Sequence, residues 1–205
     1  MRRRRSLFGI IAPAGLRNVE LLTQTVAHEH ERLPDLARNI LQLIVEQLHD
    51  TMLKVREIEA RLAKWHRQSR VSQLLATVPG VGIMGASAIA ATVADPSLFR
   101  SGREFAAWLG MTPRQNSSGG RERLGRTSKR GDKYIRSLLI AGAVAILRHA
   151  RNRPTRDGEW VRAILARKPT KVAAVALANK TARIVWAVMM RGDGYQAKQI
   201  LGEAA

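Results

Sequence analysis

Cysteine is absent from the 205 residues of this chain. That excludes disulfides and thiolate metal sites and fits a reducing cytoplasm. Acidic side chains are scarce: 16 Asp and Glu stand against 35 Lys and Arg, for a net charge of +19. Between residues 95 and 160 the carboxylates are Asp95, Glu104, Glu122, Asp132, Asp157 and Glu159. Two-metal nuclease chemistry needs several carboxylates converging on a metal pair roughly 4 Å apart, and these form no evident cluster. Long clean apolar runs are also missing. The stretches 138–147 and 172–189 are interrupted by Arg148 or by Asn179, Lys180 and Arg183, short of the roughly 20 residues of a membrane span. The N-terminal MRRRRSLFGIIAPAG begins like an export signal, but its apolar run is short and ends at Pro13.

What is present is a core-forming composition, 45% hydrophobic, carrying a charge excess too large to serve solubility alone. Such an excess implies a polyanionic partner, of which nucleic acid is the commonest; a solvated basic surface would give the same count. Arg2–Arg5 fit either a phosphate-touching arm or a solvated end. His28-Glu29-His30 is a weak metal signal, because residues two apart do not share a helix face and no third ligand is obvious.

Alternating β-branched runs are few and no internal repeat is visible, so the expectation is an all-α chain. It divides into an irregular basic N-terminus (1–19), a coiled-coil-like helical segment (20–68), a compact helical domain (69–195) and a tail (196–205). In the second segment Leu41, Ile44, Leu48, Met52, Val55, Ile58, Leu62 and Trp65 recur at spacings of three and four, an apolar stripe that must pair with another helix. No preceding helix of matching length is evident, so homo-oligomerisation through the 36–65 helix, or a missing partner helix, is expected.

The third segment opens with LLATVPGVGIMGASAIAATV, read as helix, glycine turn, helix. It is the pattern of a helix-hairpin-helix element. Gly80 and Gly82 would let the chain approach a phosphate, which free N–H groups at a helix start favour; a purely structural turn has the same sequence. Ser101 with Glu104 reads as a capping box ahead of Phe105 and Trp108, both assigned to packing.

The densest chemistry lies in TPRQNSSGGRERLGRTSKRGDKYIR. Ser117 and Ser118 are followed by Gly119 and Gly120 and ringed by Arg114, Arg121, Arg123, Arg126, Lys129, Arg130, Lys133 and Arg136. A serine nucleophile attacking a phosphodiester needs a polarised hydroxyl and cations to balance the pentavalent phosphate. Arginine supplies the second through planar, charge-assisted bonds. Passive phosphate binding needs the same residues, so the run alone leaves both open. Lys168, Lys171, Lys180 and Arg183 give the last helix a basic side, phosphate-contacting or solvated.

FGIIAPAG, LLATVPGVGIMGASAIAATVADPSLFRSGREFAAWLGMTPRQNSSGG, RLGRTSKRGDKYIR and KPTKVAAVALANKTARIVWAVM occur in this order. Together they resemble the C-terminal part of the insertion sequence 110/116/902 transposases, the group that includes the Piv DNA invertases. The resemblance implies DNA transposition or site-specific recombination. In that family an N-terminal RuvC-like domain binds divalent metal, magnesium, through four acidic residues. A coiled-coil segment leads from it to a helical domain with an essential serine that forms a phosphoserine link to DNA. Carried over, PRQNSSGG places that serine at Ser118, with Ser117 the fallback, and Arg114, Arg121 and Arg123 steadying the phosphate. DNA is the implied partner, with a structured guide RNA in some members, or pairing with an intact transposase. No acidic quartet is found here, so the resemblance implies a truncated form without the RuvC-like domain and without a cofactor of its own. The competing expectation is a non-catalytic nucleic-acid-binding remnant that competes with or assists an intact transposase.

Overall fold

The computed structural model describes residues 5–7, 10–12, 18–28, 33–115, 124–150 and 158–196. Its backbone contacts divide the chain into two units, residues 1–61 and 62–205.

The first unit opens with a feature absent from the sequence reading. Within the stretch expected to be irregular, β1 (Arg5–Leu7) and β2 (Ile10–Ala12) pair antiparallel, with Ser6 opposite Ile11. Helix α1 (Val19–His28) follows, then α2 (Asp35–Gln68). Pro34 stands just ahead of α2, where a proline costs no helical hydrogen bond, and its carbonyl accepts from the Arg38 amide at 2.9 Å. At 34 residues α2 is about 51 Å long, yet none of its side chains is buried. Ile44, Val55 and Ile58 of the apolar stripe are 48, 47 and 64% exposed. Helix α1 covers only a short length: Val19, Glu20 and Thr23 line a concavity with Leu48, His49, Met52 and Leu53.

The second unit begins in the last turns of α2 and is built from six further helices. These are α3 (Arg70–Ala76), α4 (Ile83–Thr92), α5 (Gly102–Trp108), α6 (Lys133–Ala150), α7 (Gly158–Arg167) and α8 (Thr170–Arg191). A 3-10 turn at Pro96–Leu98 joins α4 to α5. A short hairpin, β3 (Pro113–Gln115) with β4 (Leu124–Thr127), stands between α5 and α6. The helical class is as expected; the two small hairpins are additions, both too short in sequence to show an alternating pattern.

Helix α8 is the centre of this unit and packs against α3, α5, α6 and α7. Ten of its residues are buried, half of them alanine, so neighbouring backbones come close on several sides at once. Its length and apolar character would suit a membrane span, but more than half of that window lies inside the fold. Gly192, at φ 69°, ends it in the left-handed cap that glycine favours. Side chains on one face pin its connections: Asn179 Nδ2 donates to the Met111 carbonyl at 3.5 Å and Trp186 Nε1 to the Pro96 carbonyl at 3.1 Å.

The capping box and the aromatic packing read from sequence are realised, the first with one variation. Ser101 Oγ accepts from the Glu104 amide, but the Glu104 carboxylate reaches back to the Arg100 amide at 2.7 Å, one residue before the cap. Asp132 caps α6 by accepting from the Ile135 amide at 2.8 Å. Asp95 accepts from the Ser97 amide; hydrogen bonding to Ser97 holds its carboxyl below the usual range. Phe105 is fully buried and meets Phe99 edge-on at 5.1 Å and Trp108 stacked at 5.8 Å, and Phe99 and Trp108 are themselves 5.3 Å apart. A buried polar chain joins the start of this unit: His66 Nδ1 lies 2.7 Å from Ser72 Oγ, which lies 3.2 Å from Ser87 Oγ.

The turn ahead of α4 meets α6 through two glycines. A Cβ on Gly142 would lie 1.8 Å from the Gly80 carbonyl oxygen, whereas a Cβ on Gly85 would meet only Val81 Cγ1, at 3.6 Å. Gly142→Ala is therefore expected to destabilise the protein by about 3 kcal/mol or more through forced separation of the α3–α4 turn from α6. Gly85→Ala should change stability by less than about 1 kcal/mol, in the stabilising direction, because alanine suits a helix better. Thermal or denaturant unfolding of the two variants checks the contrast; equal losses would mean that the Gly80–Gly142 approach is not a packing constraint.

Candidate nucleic-acid interface

The hairpin is held at its base by backbone. The register pairs Pro113 with Thr127 and Gln115 with Leu124, with an irregularity between them. Below it, the Ser128 amide donates to the Thr112 carbonyl at 2.9 Å and the Lys129 amide to the Gly110 carbonyl at 3.1 Å. Two segments thus run side by side at a distance no side chain permits. A Cβ on Gly110 would fall 1.9 Å from the Arg130 carbonyl oxygen, and one on Gly131 would fall 1.7 Å from that of Trp108. Both glycines have positive φ, 70° and 99°, and Lys129 between the strand and Gly131 takes the same left-handed region at 54°. Glycine enters that region freely; lysine does so only where its surroundings impose it.

Two side chains complete the anchorage. Arg136, one turn into α6, donates from Nη1 to the Leu109 carbonyl at 2.9 Å, and Asn179 of α8 reaches the next carbonyl but one, Met111. Leu109, Gly110 and Met111 are all buried, so these carbonyls depend on the two side chains for partners that water does not supply. Of the cations flanking the serines, Arg136 is thus engaged in holding the stem.

Lys129, Arg130 and Lys133 are exposed and gathered at the foot of the hairpin. Ser117, Ser118, Arg121 and Arg123 lie outside the described residues, as do the side chains of Arg114 and Arg126. Gly80 and Gly82 are elsewhere. Gly80, at φ 80°, faces Gly142, which is nine residues along α6 from Lys133, about 13 Å of helix. The glycine at position 80 is accounted for by this approach to α6. Gly82 begins α4 with open space where a Cβ would stand and no side-chain cap.

The basic side of α8 resolves into separate environments. Lys180 Nζ lies 4.8 Å from the centre of the Trp160 ring, a cation–π contact. Arg183 is half-buried. Its guanidinium is held below its ordinary pKa first by burial and then by the like charge of Arg103. Arg103 stands out as a residue the sequence did not single out; its one local sign is Gly102 before it, which lets α5 lie against α8. Among the described residues no group of three His, Cys, Asp or Glu side chains is placed to hold a metal ion.

A fold of packed helices bearing a basic hairpin is the setting in which the comparisons with known proteins fall. Residues 72–157 match the model of the transposase IS116/IS110/IS902 family, a range that takes in the α3–α4 turn, α5, the hairpin and α6. The chain is 39% identical to a putative transposase (y4pF/y4sB) of Sinorhizobium fredii, over 96% of its own length and 50% of the relative's. It is 43% identical to a probable family 20 transposase of Pseudomonas aeruginosa, over 92% and 56% respectively. The transposase for insertion sequence element IS1328 of Yersinia enterocolitica is 38% identical, over 90% and 55%. The chain is similar to the IS116/IS110/IS902 transposases, as its motifs suggested, and spans about half the length of the curated relatives it matches.

Replacing Arg136 by Met is expected to cost about 1–2 kcal/mol of stability, the penalty of an orphaned buried carbonyl. Amide hydrogen exchange at Ser128 and Lys129 should accelerate more than exchange in α8. Uniform acceleration across the unit would show that Arg136 supports the fold at large and not the stem.

Proposed function

We propose that this chain is the DNA-binding, serine-bearing part of a transposase, acting in transposition or site-specific recombination. The observation that carries the reading is the rigidly anchored β3–β4 stem. It bounds the segment containing Ser117 and Ser118 on both sides and gathers Lys129, Arg130 and Lys133 at its foot. Likeness to proteins named as transposases and the net charge of +19 support the same conclusion. Covalent catalysis benefits when the nucleophile is carried on a scaffold that does not yield, since misplacement by about 1 Å can cost 100-fold in rate. In this reading the Ser118 hydroxyl attacks a backbone phosphorus and the displaced sugar oxygen leaves as a hydroxyl. Arg114, Arg121 and Arg123 balance the charge that builds on the phosphate, with Arg126, Lys129, Arg130 and Lys133 holding the flanking backbone. The open start of α4 at Gly82 offers a further backbone contact of the helix-hairpin-helix kind, and guide RNA is a second polyanion that the same surface could accept.

Self-association through the 36–65 helix, or pairing with the corresponding helix of an intact transposase, is part of the same reading. Its support is the solvent exposure of Ile44, Val55 and Ile58 on a helix with no buried residue.

Ser118→Ala should abolish any covalent protein–DNA adduct while changing DNA affinity by less than about twofold, since a single neutral hydroxyl contributes little to binding. Ser117→Ala should leave the adduct in place. The assay is denaturing gel analysis of labelled DNA, with and without an intact transposase of the same family. Absence of an adduct from the unaltered chain under both conditions would leave the non-catalytic, competing or assisting remnant as the function.

Leu48→Glu with Val55→Glu should shift the protein to a smaller species in sedimentation, because like charges then face each other along an apolar seam. An unchanged sedimentation coefficient would show that the stripe is not an interface between copies.

A further inference from the structure

Helix α5 begins hard against α8. A Cβ on Gly102 would lie 3.1 Å from the Cα and from the carbonyl oxygen of Arg183, and the charge of the next residue, Arg103, acts on the Arg183 guanidinium. Among the described residues neither guanidinium has an ion-pair partner. The nearby carboxylates are engaged with backbone: Glu104 accepts from the Arg100 amide and Asp95 from the Ser97 amide. Two guanidiniums, one on a half-buried side chain, therefore repel each other across the α5–α8 contact with no ion pair to either among the described residues. Such an arrangement is unfavourable in isolation, since burial and like charge both work against it. It becomes favourable when an external anion sits between the forks. A phosphate fits, because it accepts from two planar donor sets at once.

The position on α8 specifies which phosphate. Asn179 anchors the start of the β3 stem through Met111, and Arg183 is four residues on, about 6 Å along the same helix face. A nucleic-acid strand engaged at the hairpin would continue past this pair. Lys180, the other cation nearby, is directed over Trp160 and is not a member of it.

We propose that Arg103 and Arg183 form a clamp for one backbone phosphate of bound DNA, next to the hairpin; this rests on the DNA-binding reading given above. The test is fluorescence anisotropy of the full chain with a labelled mixed-sequence DNA duplex over a series of salt concentrations. The variants are R103Q, R183Q, their double and, as an exposed control on α2, K64Q, with thermal unfolding of each. Each single substitution should weaken binding about tenfold, the loss of one charge-assisted contact. The double should flatten the slope of log affinity against log salt by about one. R103Q should unfold at an unchanged or higher temperature, since it removes a like charge. A double variant with the unaltered slope and affinity overturns the clamp. So does a loss no larger than that of K64Q, or a loss accompanied by a lowered unfolding temperature in both single variants. A loss confined to a single-stranded RNA probe overturns the assignment to DNA. Failure of the unaltered chain to bind the duplex is a different result, and it removes the DNA-binding reading itself.

Discussion

The second unit depends on backbone meeting backbone. At three places, Gly142 on Gly80, Gly110 on Arg130 and Gly131 on Trp108, the chain passes so close to itself that a single methyl group would collide with a carbonyl oxygen. The first approach fixes the α3–α4 turn on α6. The other two fix the segment after α5 against the segment before α6, and so set where the β3–β4 hairpin leaves the helices. Side-chain packing alone would allow some sliding at these contacts; contacts between peptide groups permit very little, because interiors are close-packed and a shift of one approach is passed to the next. The alanine-rich α8 extends the principle. Its small side chains let α3, α5, α6 and α7 draw near at once, which places Asn179, Arg183 and Trp186 where they can reach three successive loops or helix starts.

Helix periodicity, caps and breakers were legible in the sequence, because each is decided by a few neighbouring residues. Pro34 before α2, Ser101 and Asp132 at helix starts and Gly192 after α8 all act within one turn. Long-range relations were not legible. Nothing local distinguishes Gly80, which is required by α6, from Gly82, which meets open space. Arg136 looked like one more cation around the serines, yet its partner is the carbonyl of Leu109, 27 residues away. The pairing of Arg103 with Arg183 needed the close contact of α5 and α8, residues remote in sequence. The N-terminal hairpin escaped notice because strands of three residues carry no alternation to read. Of the candidate site, then, composition revealed the cations and order revealed the family, but which cation holds the fold and which faces outward is a property of the packed chain.

Charge completes the account. The carboxylates described between residues 95 and 150 are few, and Asp95, Glu104 and Asp132 each accept from a backbone amide at the start of a helix or helical turn. Their negative charge is directed at helix starts, where it compensates the partial positive end of a helix, and is not opposed to the side-chain cations at the hairpin. Lys129, Arg130 and Lys133 at its foot and Arg103 and Arg183 beside α8 therefore keep most of their field. A positive surface whose own acids are engaged at helix starts gains free energy when a polyanion displaces its counterions. It gains most from a ligand rigid enough to meet several cations at fixed spacing. The glycine approaches that lock the stem and the one-turn offset between Asn179 and Arg183 supply that fixed spacing on the protein side. Rigid backbone contacts and uncompensated cations are thus two parts of one arrangement, the first positioning what the second attracts.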